Sequence, residues 1–169
     1  MEAHAAAGTA NPPTGHSPGG QFLTFYCADE EYGVDILRVR EIKGWPGVTA
    51  IPEAPAHVLG IMNLRGDIVP VIDLRTRFGL DRRTPDASTV LIIVATTTGK
   101  GQGTVGICVD AVSDVHGFEA SAIKEAPDVG NGDAAGYLSG VVSRDSRILM
   151  LLDIDRVIGT GLAVAMAPQ

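Results

Sequence analysis

The sequence predicts an all-β fold in which two similar small barrels share an apolar seam, with a few short helices. Apolar residues make up 45% of the 169 positions, but aromatic residues only 5%. The core must therefore rest on aliphatic side chains, of which Val and Ile favour strands. The 21 glycines and 10 prolines indicate many turns and short elements. An internal repeat supplies the third observation.

Two segments of the chain recur in the same order. Residues 60–79 (GIMNLRGDIVPVIDLRTRFG) align without a gap with residues 140–159 (GVVSRDSRILMLLDIDRVIG), and residues 33–44 align with residues 106–117. Such a repeat predicts two copies of one structural unit. Because a barrel of about 65 residues buries only a marginal core, we expect one folded unit with two lobes.

The first half of the chain predicts two hairpins after a tail. Residues 1–20 contain mainly small and turn-forming residues and predict a disordered tail. Residues 21–36 predict a hairpin around an acidic turn. The apolar rhythm of residues 37–42 fits a short helical turn as well as a strand. Residues 58–72 predict a second hairpin, followed by a short helix that Asp73 would cap.

The second half of the chain repeats this order. A buried strand at 90–95 and a return strand at 105–109 flank a glycine-rich loop. Residues 119–125 predict a short helix, and residues 141–158 predict a last hairpin and a last short helix. We expect a folded domain over 21–159, with lobes at about 34–88 and about 89–150 that the terminal segments complete. Residues 160–169 would form a C-terminal tail.

Composition excludes several classes of function. The net charge is −7 and the isoelectric point is about 4.9, and no basic patch suggests nucleic-acid binding. No run approaches the roughly 18 apolar residues that a membrane span needs, and no secretory signal is visible. Cys27 and Cys108 lie in apolar runs and are expected to be buried, reduced thiols, consistent with a cytoplasmic location.

Catalytic motifs are also missing. His57 and His116 lie in no zinc-binding spacing, and neither a His-Glu-x-x-His nor a Gly-x-Ser-x-Gly motif occurs. The glycine-rich segment 99–103 joins two predicted strands and opens no helix, so it is not expected to bind phosphate. We therefore expect no catalytic residue, no cofactor and no metal. The alternative is a small enzyme or ligand-binding barrel, which would need a deep pocket with perturbed titrating groups.

Several motifs in the first half resemble the CheW family. The matching segments are residues 32–42 (YGVDILRVREI), 51–55 (IPEAP), 60–66 (GIMNLRG) and 69–75 (VPVIDLR), with a further match at residues 105–115. The likeness spans about residues 20–158. It implies two SH3-like five-stranded β-barrel lobes that share a hydrophobic seam.

The resemblance also implies a function. Members of the family are non-enzymatic scaffolds of bacterial chemotaxis, which join the cytoplasmic tip of chemoreceptors to the regulatory domain of the histidine kinase CheA. The protein would then be cytoplasmic, recruited to membrane receptor arrays without inserting into the membrane. An adaptor for another receptor–kinase array is the nearest alternative.

The candidate partner-binding residues follow from the resemblance. They are Val39, Glu41, Gly60, Asn63, Leu64, Arg65 and Gly66. Arg65 at a hairpin tip is either a solvated turn residue or an interface cation paired with Glu41, since a guanidinium can bind carboxylates bidentately. Val39 fits the core equally well. Exposed sheet edges predict a second kind of contact, in which apolar side chains of like folds pack together.

Overall fold

The computed structural model describes residues 19–97, 103–126 and 136–165, and of 160–165 only the backbone. The strands are β1 Gly20–Cys27, β2 Glu30–Asp35, β3 Val39–Gly44, β4 Val58–Leu64, β5 Asp67–Asp73, β6 Val90–Thr96, β7 Gly103–Val109, β8 Ala111–Phe118, β9 Leu138–Arg144 and β10 Arg147–Leu152. The helices are α1 Leu74–Arg77 and α2 Ile154–Ala165. This composition confirms the predicted all-β fold with a few short helices.

The strands form two five-stranded sheets. Sheet I has the order β8-β1-β2-β10-β9, and sheet II has the order β3-β6-β7-β5-β4. An isolated bridge pairs Thr49, which follows β3, with Ile61 in β4 and brings the two edges of sheet II together. Lys124, which follows β8, pairs with Val141 in β9 in the same way. Each sheet thus closes on itself as a small barrel.

The sheets correct the lobe boundaries expected from the sequence. Strands β6 and β7 fall in the range expected for the second lobe, about 89–150, yet they pair with β3 and β5 of the first. In return, β1 and β2 pair with β8 and β10. The first hairpin of each half, its leading hairpin, therefore belongs to the sheet formed by the later strands of the other half. The chain crosses from sheet II to sheet I at Asp110, between β7 and β8.

The two halves follow the same pairing rules. Strand β1 pairs antiparallel with β8 as β6 does with β3, and β2 pairs parallel with β10 as β7 does with β5. The register agrees too, because Gly33 lies opposite Leu151 and its repeat counterpart Gly106 lies opposite Val71. The repeat seen in the sequence is therefore a repeat of structure, related by an approximate two-fold axis.

The largest apolar cluster lies between the sheets. It joins Leu23, Phe25 and Val34 of sheet I to side chains of sheet II and of both helices. The sheet II and helix members include Ile72, Ile92, Val94, Ile107, Leu74, Phe78, Ile154, Val157 and Ile158. Each barrel also has a smaller cluster of its own. The cluster in the barrel of sheet II lies around Leu91 and Ile93, and the cluster in the barrel of sheet I lies around Leu149 and Leu151. The predicted shared hydrophobic seam is thus the main core of the molecule.

Local elements refine the sequence predictions. The segment 37–42, for which the sequence allowed a helical turn or a strand, takes part in both: a 3₁₀ turn spans Ile36–Arg38 and β3 follows it. The helix expected at 119–125 is a 3₁₀ turn at Ala120–Ala122. Asp153 accepts a hydrogen bond from the Arg156 amide at 3.2 Å, whereas Asp73 accepts one from the Thr76 hydroxyl at 2.7 Å.

The expected termini lie partly beyond the described residues. The N-terminal tail falls there up to residue 18, while Gly20 already belongs to β1. The C-terminal tail expected from residue 160 is instead helical through Ala165, because α2 resumes after a break at Gly159. Most of the glycine-rich loop, residues 98–102, is also outside the described residues.

Candidate partner-binding surface

The β4–β5 hairpin turns through two residues, Arg65 and Gly66. Both have positive φ, 51° and 96°, and they separate the paired residues Leu64 and Asp67. A two-residue loop of this kind matches the twist of the flanking strands. The side-chain oxygen of Asn63 accepts a hydrogen bond from the Gly66 amide at 2.8 Å, so Asn63 stabilises the turn that presents Arg65.

Arg65 forms a bidentate pair with Glu41 on β3. Its Nη2 donates to Glu41 Oε1, and its Nη1 lies 3.4 Å from Oε2. The Arg65 side chain remains 69% exposed, which leaves guanidinium N–H groups available to a further acceptor. The hydrogen bond from Arg65, with its charge and that of Lys43, lowers the pKa of Glu41. The pair holds the hairpin tip over β3 and keeps Glu41 ionised.

The other sequence-predicted residues divide by burial. Asn63 and Gly66 are exposed beside Arg65, whereas Leu64 is buried in the barrel of sheet II. Val39 is half-buried and packs against the seam. Gly60 is buried where β4 passes the backbone of Thr49. The structure thus places Glu41, Asn63, Arg65 and Gly66 together at the surface, with Leu64, Gly60 and Val39 beneath or beside them.

Exposed aliphatic residues occupy matching positions in the two halves, which sequence reasoning missed. Ile68 is 60% exposed and its counterpart Ile148 is 51% exposed; Ile42 is 46% exposed and its counterpart Val115 is 42% exposed. Ile68 lies opposite Asn63 in the hairpin, next to the Arg65 turn. Each sheet therefore presents the same two apolar positions. The identity of Ile68 and Ile148 in the repeat is the sequence signal that could have found them.

A shallow, open depression of about 390 Å³ lies next to the hairpin. It is lined by Pro46, Gly47, Val48, Thr49, Ile61, Met62 and Asn63. None of these side chains is acidic or basic. It extends the exposed surface around Asn63 toward the strand-closing residue Thr49.

Groups elsewhere bear on the alternative functions. Half-buried His57 has a lowered pKa because of partial burial and the nearby charge of Arg77, and its buried Nε2 has no hydrogen-bond partner. Within the three described ranges, no three His, Cys, Asp or Glu side chains are arranged to hold a metal ion. None of the helices in that part of the chain is long and apolar enough to cross a membrane.

Comparison with known proteins identifies a family for this chain. The CheW-like domain matches residues 21–161. A chemotaxis protein CheW from Klebsiella aerogenes is 40% identical over 156 residues, covering 92% of each chain. A chemotaxis protein CheW from Rhizobium meliloti is 34% identical over 82% of this chain and 87% of its own.

A solved structure agrees with the sequence relatives. The crystal structure of the scaffolding protein TtCheW from Thermoanaerobacter tengcongensis superposes with a TM-score of 0.74 at 32% identity, over 83% of this chain and 92% of that chain. The family match, the sequence relatives and the solved structure lead to one assignment, and the two five-stranded sheets agree with it. The chain belongs to the CheW family.

Proposed function

We propose that this protein is a non-enzymatic scaffold that couples the cytoplasmic signalling tip of chemoreceptors to the regulatory domain of the histidine kinase CheA. Membership of the CheW family is the observation that carries the proposal. The names of its relatives describe chemotaxis proteins and a scaffolding protein. In this role the protein is cytoplasmic and reaches the membrane through its receptors.

The exposed tip of the β4–β5 hairpin supplies the polar part of the interface. Arg65 is held by Glu41 in one orientation, so little side-chain freedom remains to be lost when a partner binds. Its remaining N–H donors suit a carboxylate or a backbone carbonyl on the partner. Asn63 and Gly66 shape the turn, and we propose that they act by positioning Arg65.

The apolar positions that the two sheets share supply the second part. A scaffold needs at least two contact surfaces, and the repeat gives it two similar ones. Ile42 and Ile68 lie on sheet II, and Val115 and Ile148 on sheet I. Exposed aliphatic residues beside polar groups are typical of the core and rim of protein interfaces. We propose that these positions pack against the partners.

Calorimetric titration tests the proposal. The purified protein is titrated separately with the CheA regulatory domain and with a receptor tip fragment from the same organism. We expect specific binding to each, and we expect Arg65→Ala to weaken at least one of them. Asp145→Ala is the matched control, because Asp145 occupies the same hairpin position in the second half with a φ of 52°.

The outcomes separate the candidate functions. Binding to neither CheA nor receptor would contradict the proposed partners while leaving the family assignment intact. Binding only to the kinase and receptor of a different array in that organism would assign the scaffold there. The salt dependence distinguishes the two parts of the interface. Binding through the apolar positions should keep nearly constant affinity as ionic strength rises, whereas binding that depends on Arg65 should weaken.

A further inference from the structure

Two charged clusters stand where the chain crosses from one sheet to the other. At the first crossing, between β2 and β3, Arg38 donates to both carboxylate oxygens of Asp155 on α2, at 3.2 and 2.8 Å. It also donates to the carbonyl oxygen of Ala95 at 2.9 Å. A residue of the first half thus binds the helix and the leading hairpin of the second half.

The second crossing has the same arrangement with the opposite charge. Asp110, between β7 and β8, accepts from Nε and Nη2 of Arg75 on α1, at 3.1 and 2.7 Å. It also accepts from the backbone amide of Ala28 at 2.8 Å. Here an acidic residue of the second half binds the helix and the leading hairpin of the first half.

The approximate two-fold axis relates the two clusters. Arg75 and Asp155 hold the same position in the aligned repeats, and Arg38 and Asp110 hold adjacent positions at the crossings. The backbone surroundings are alike in the two clusters, because the Thr97 amide, the counterpart of the Ala28 amide, donates to Asp155 at 3.0 Å. Only the side-chain charges are inverted. The first half therefore carries both arginines, and the second half carries both aspartates.

We infer that this inversion of charge directs each half of the chain to pair with the other half and rejects pairing of a half with its own copy in a second molecule. Two first halves would bring Arg38 against Arg75. Two second halves would bring Asp110 against Asp155. In the native arrangement every one of these groups is paired.

The charged side chains of both clusters are largely buried, which increases the energetic cost of placing like charges together. Arg75 and Asp110 are 20% and 16% exposed, and Arg38 and Asp155 are 30% and 29% exposed. Like charges at such positions would be only partly screened by solvent. Among the described residues, Arg83 of the first half also lies 3.6 Å from Asp110, with the same polarity as the two clusters. Glu31 and Arg144 form a pair of the opposite polarity, with the carboxylate 7% exposed. Its 3.8 Å separation and the missing hydrogen bond on one atom of each side chain make it weaker than the two bidentate pairs.

The test uses the full-length chain refolded from urea at several concentrations. In R75D/D155R the native arrangement acquires two like-charged contacts, whereas like halves of two molecules become complementary. R75A/D155A is the matched control, which loses both pairs without creating complementarity. R75D/D110R is the second control, because it carries the same R75D change with its partner reversed. Self-association is measured by sedimentation equilibrium.

We expect R75D/D155R to self-associate more than about tenfold more tightly than R75A/D155A, while R75D/D110R and the unaltered protein remain monomeric under the same conditions. Equal association of R75D/D155R and R75A/D155A would overturn the inference. If R75D/D155R does not refold, the free energies of unfolding of R75D and R75D/D110R are compared by urea denaturation. We expect R75D/D110R to be the more stable of the two, and equal stability would overturn the inference.

Discussion

Gly60 has no room for a side chain, because a β-carbon placed on it would lie 2.2 Å from the carbonyl oxygen of Thr49. Its φ of +154° is also one that other residues rarely adopt. The close approach allows Thr49 and Ile61 to exchange two backbone hydrogen bonds of 2.8 Å. Gly60 thus lets the two edges of sheet II meet beneath the Arg65 hairpin.

We expect Gly60→Ala to destabilise the protein by more than about 2 kcal/mol. The counterpart Gly140→Ala should cost about 1–3 kcal/mol, because its β-carbon would meet the Ile123 side chain at 2.7 Å and the Lys124 carbonyl oxygen at 3.0 Å. Gly44→Ala is the control, with no atom within 4 Å. Urea denaturation measures the free energy of unfolding of the three variants. A Gly60→Ala variant as stable as Gly44→Ala would show that the β-carbon can be accommodated.

Removing the Arg65 guanidinium should affect binding far more than stability. We expect Arg65→Ala to weaken binding to at least one partner by roughly tenfold and to leave the thermal midpoint close to that of the unaltered protein. Arg65→Asn should weaken binding to a similar extent as Arg65→Ala. It should strain the backbone less, since asparagine tolerates a positive φ. A large loss of thermal stability with unchanged binding would refute the interface role and make Arg65 structural.

Acid should weaken the crossing at Arg38. The hydrogen bond from Arg38 and those from Thr96 and Thr97 hold the pKa of Asp155 far below its usual range. Since the folded pKa lies below the unfolded value of about 4, the stabilisation is complete near neutral pH and is lost as pH falls below about 4.

The urea midpoint of Asp155→Asn should therefore depend less on pH between about 5 and 3 than that of the unaltered protein. His57, whose pKa is lowered in the folded state, begins to oppose folding as pH falls through its usual value of about 6.5. Both proteins carry His57, so its contribution cancels in the comparison. Asp145→Asn, at the exposed tip of the other hairpin, serves as control. Parallel curves for Asp155→Asn and the unaltered protein would contradict the prediction.

Both cysteines should be unreactive in the folded protein. Burial, with nearby aspartate charges, raises the pKa of Cys27 and of Cys108 to about 12, so neither is appreciably a thiolate at pH 8. We expect a thiol-specific chromogenic reagent to label neither residue in buffer and both in urea. Rapid labelling of the folded protein at pH 8 would show that the seam or the sheet II barrel opens without global unfolding.

The shared seam should make both sheets unfold together. Trp45 packs against the sheet II barrel and reports on that lobe, whereas far-ultraviolet circular dichroism reports on both. We expect the two urea transitions to coincide. Leu74→Ala, which truncates a fully buried seam residue, should shift both transitions equally and cost about 2–5 kcal/mol. Two separate transitions would show that each lobe is stable alone.

Local order was largely predictable from the sequence. The hairpin at 58–72 and the cap at Asp153 follow from turn residues and periodicity, and the seam follows from the repeat. Asp73 lies at the N-cap position of α1, but its side chain accepts from the Thr76 hydroxyl and makes no capping hydrogen bond to the helix backbone. The exchange of hairpins between sheets was not predictable, because β1–β2 has the same local pattern whichever half it joins. Only the long-range pairs, such as Leu151 with Gly33, distinguish the two arrangements.

The candidate surface was predictable to a similar degree. The resemblance indicated Arg65 and Glu41, and the structure places them in contact. Period-two alternation alone would have placed Leu64 inside with Met62. The exposure of Ile42 and Val115 has no such signal, because a residue on an edge strand is exposed or covered depending on which distant segments pack over it and not on its own local sequence.

The exchanged hairpins also set the order in which the protein can be completed during synthesis. All five strands of sheet II have been synthesised once the chain reaches Val109. Strands β1 and β2, in contrast, belong to sheet I, whose other strands β8, β9 and β10 are complete only at Leu152. Synthesis of residues 36–152 takes on the order of ten seconds at about 5–20 residues per second. During that time the nascent chain carries Phe25, Tyr32 and Val34 on a hairpin whose sheet is unfinished, so the first strands of this domain to be made are the ones that most need protection from misassembly.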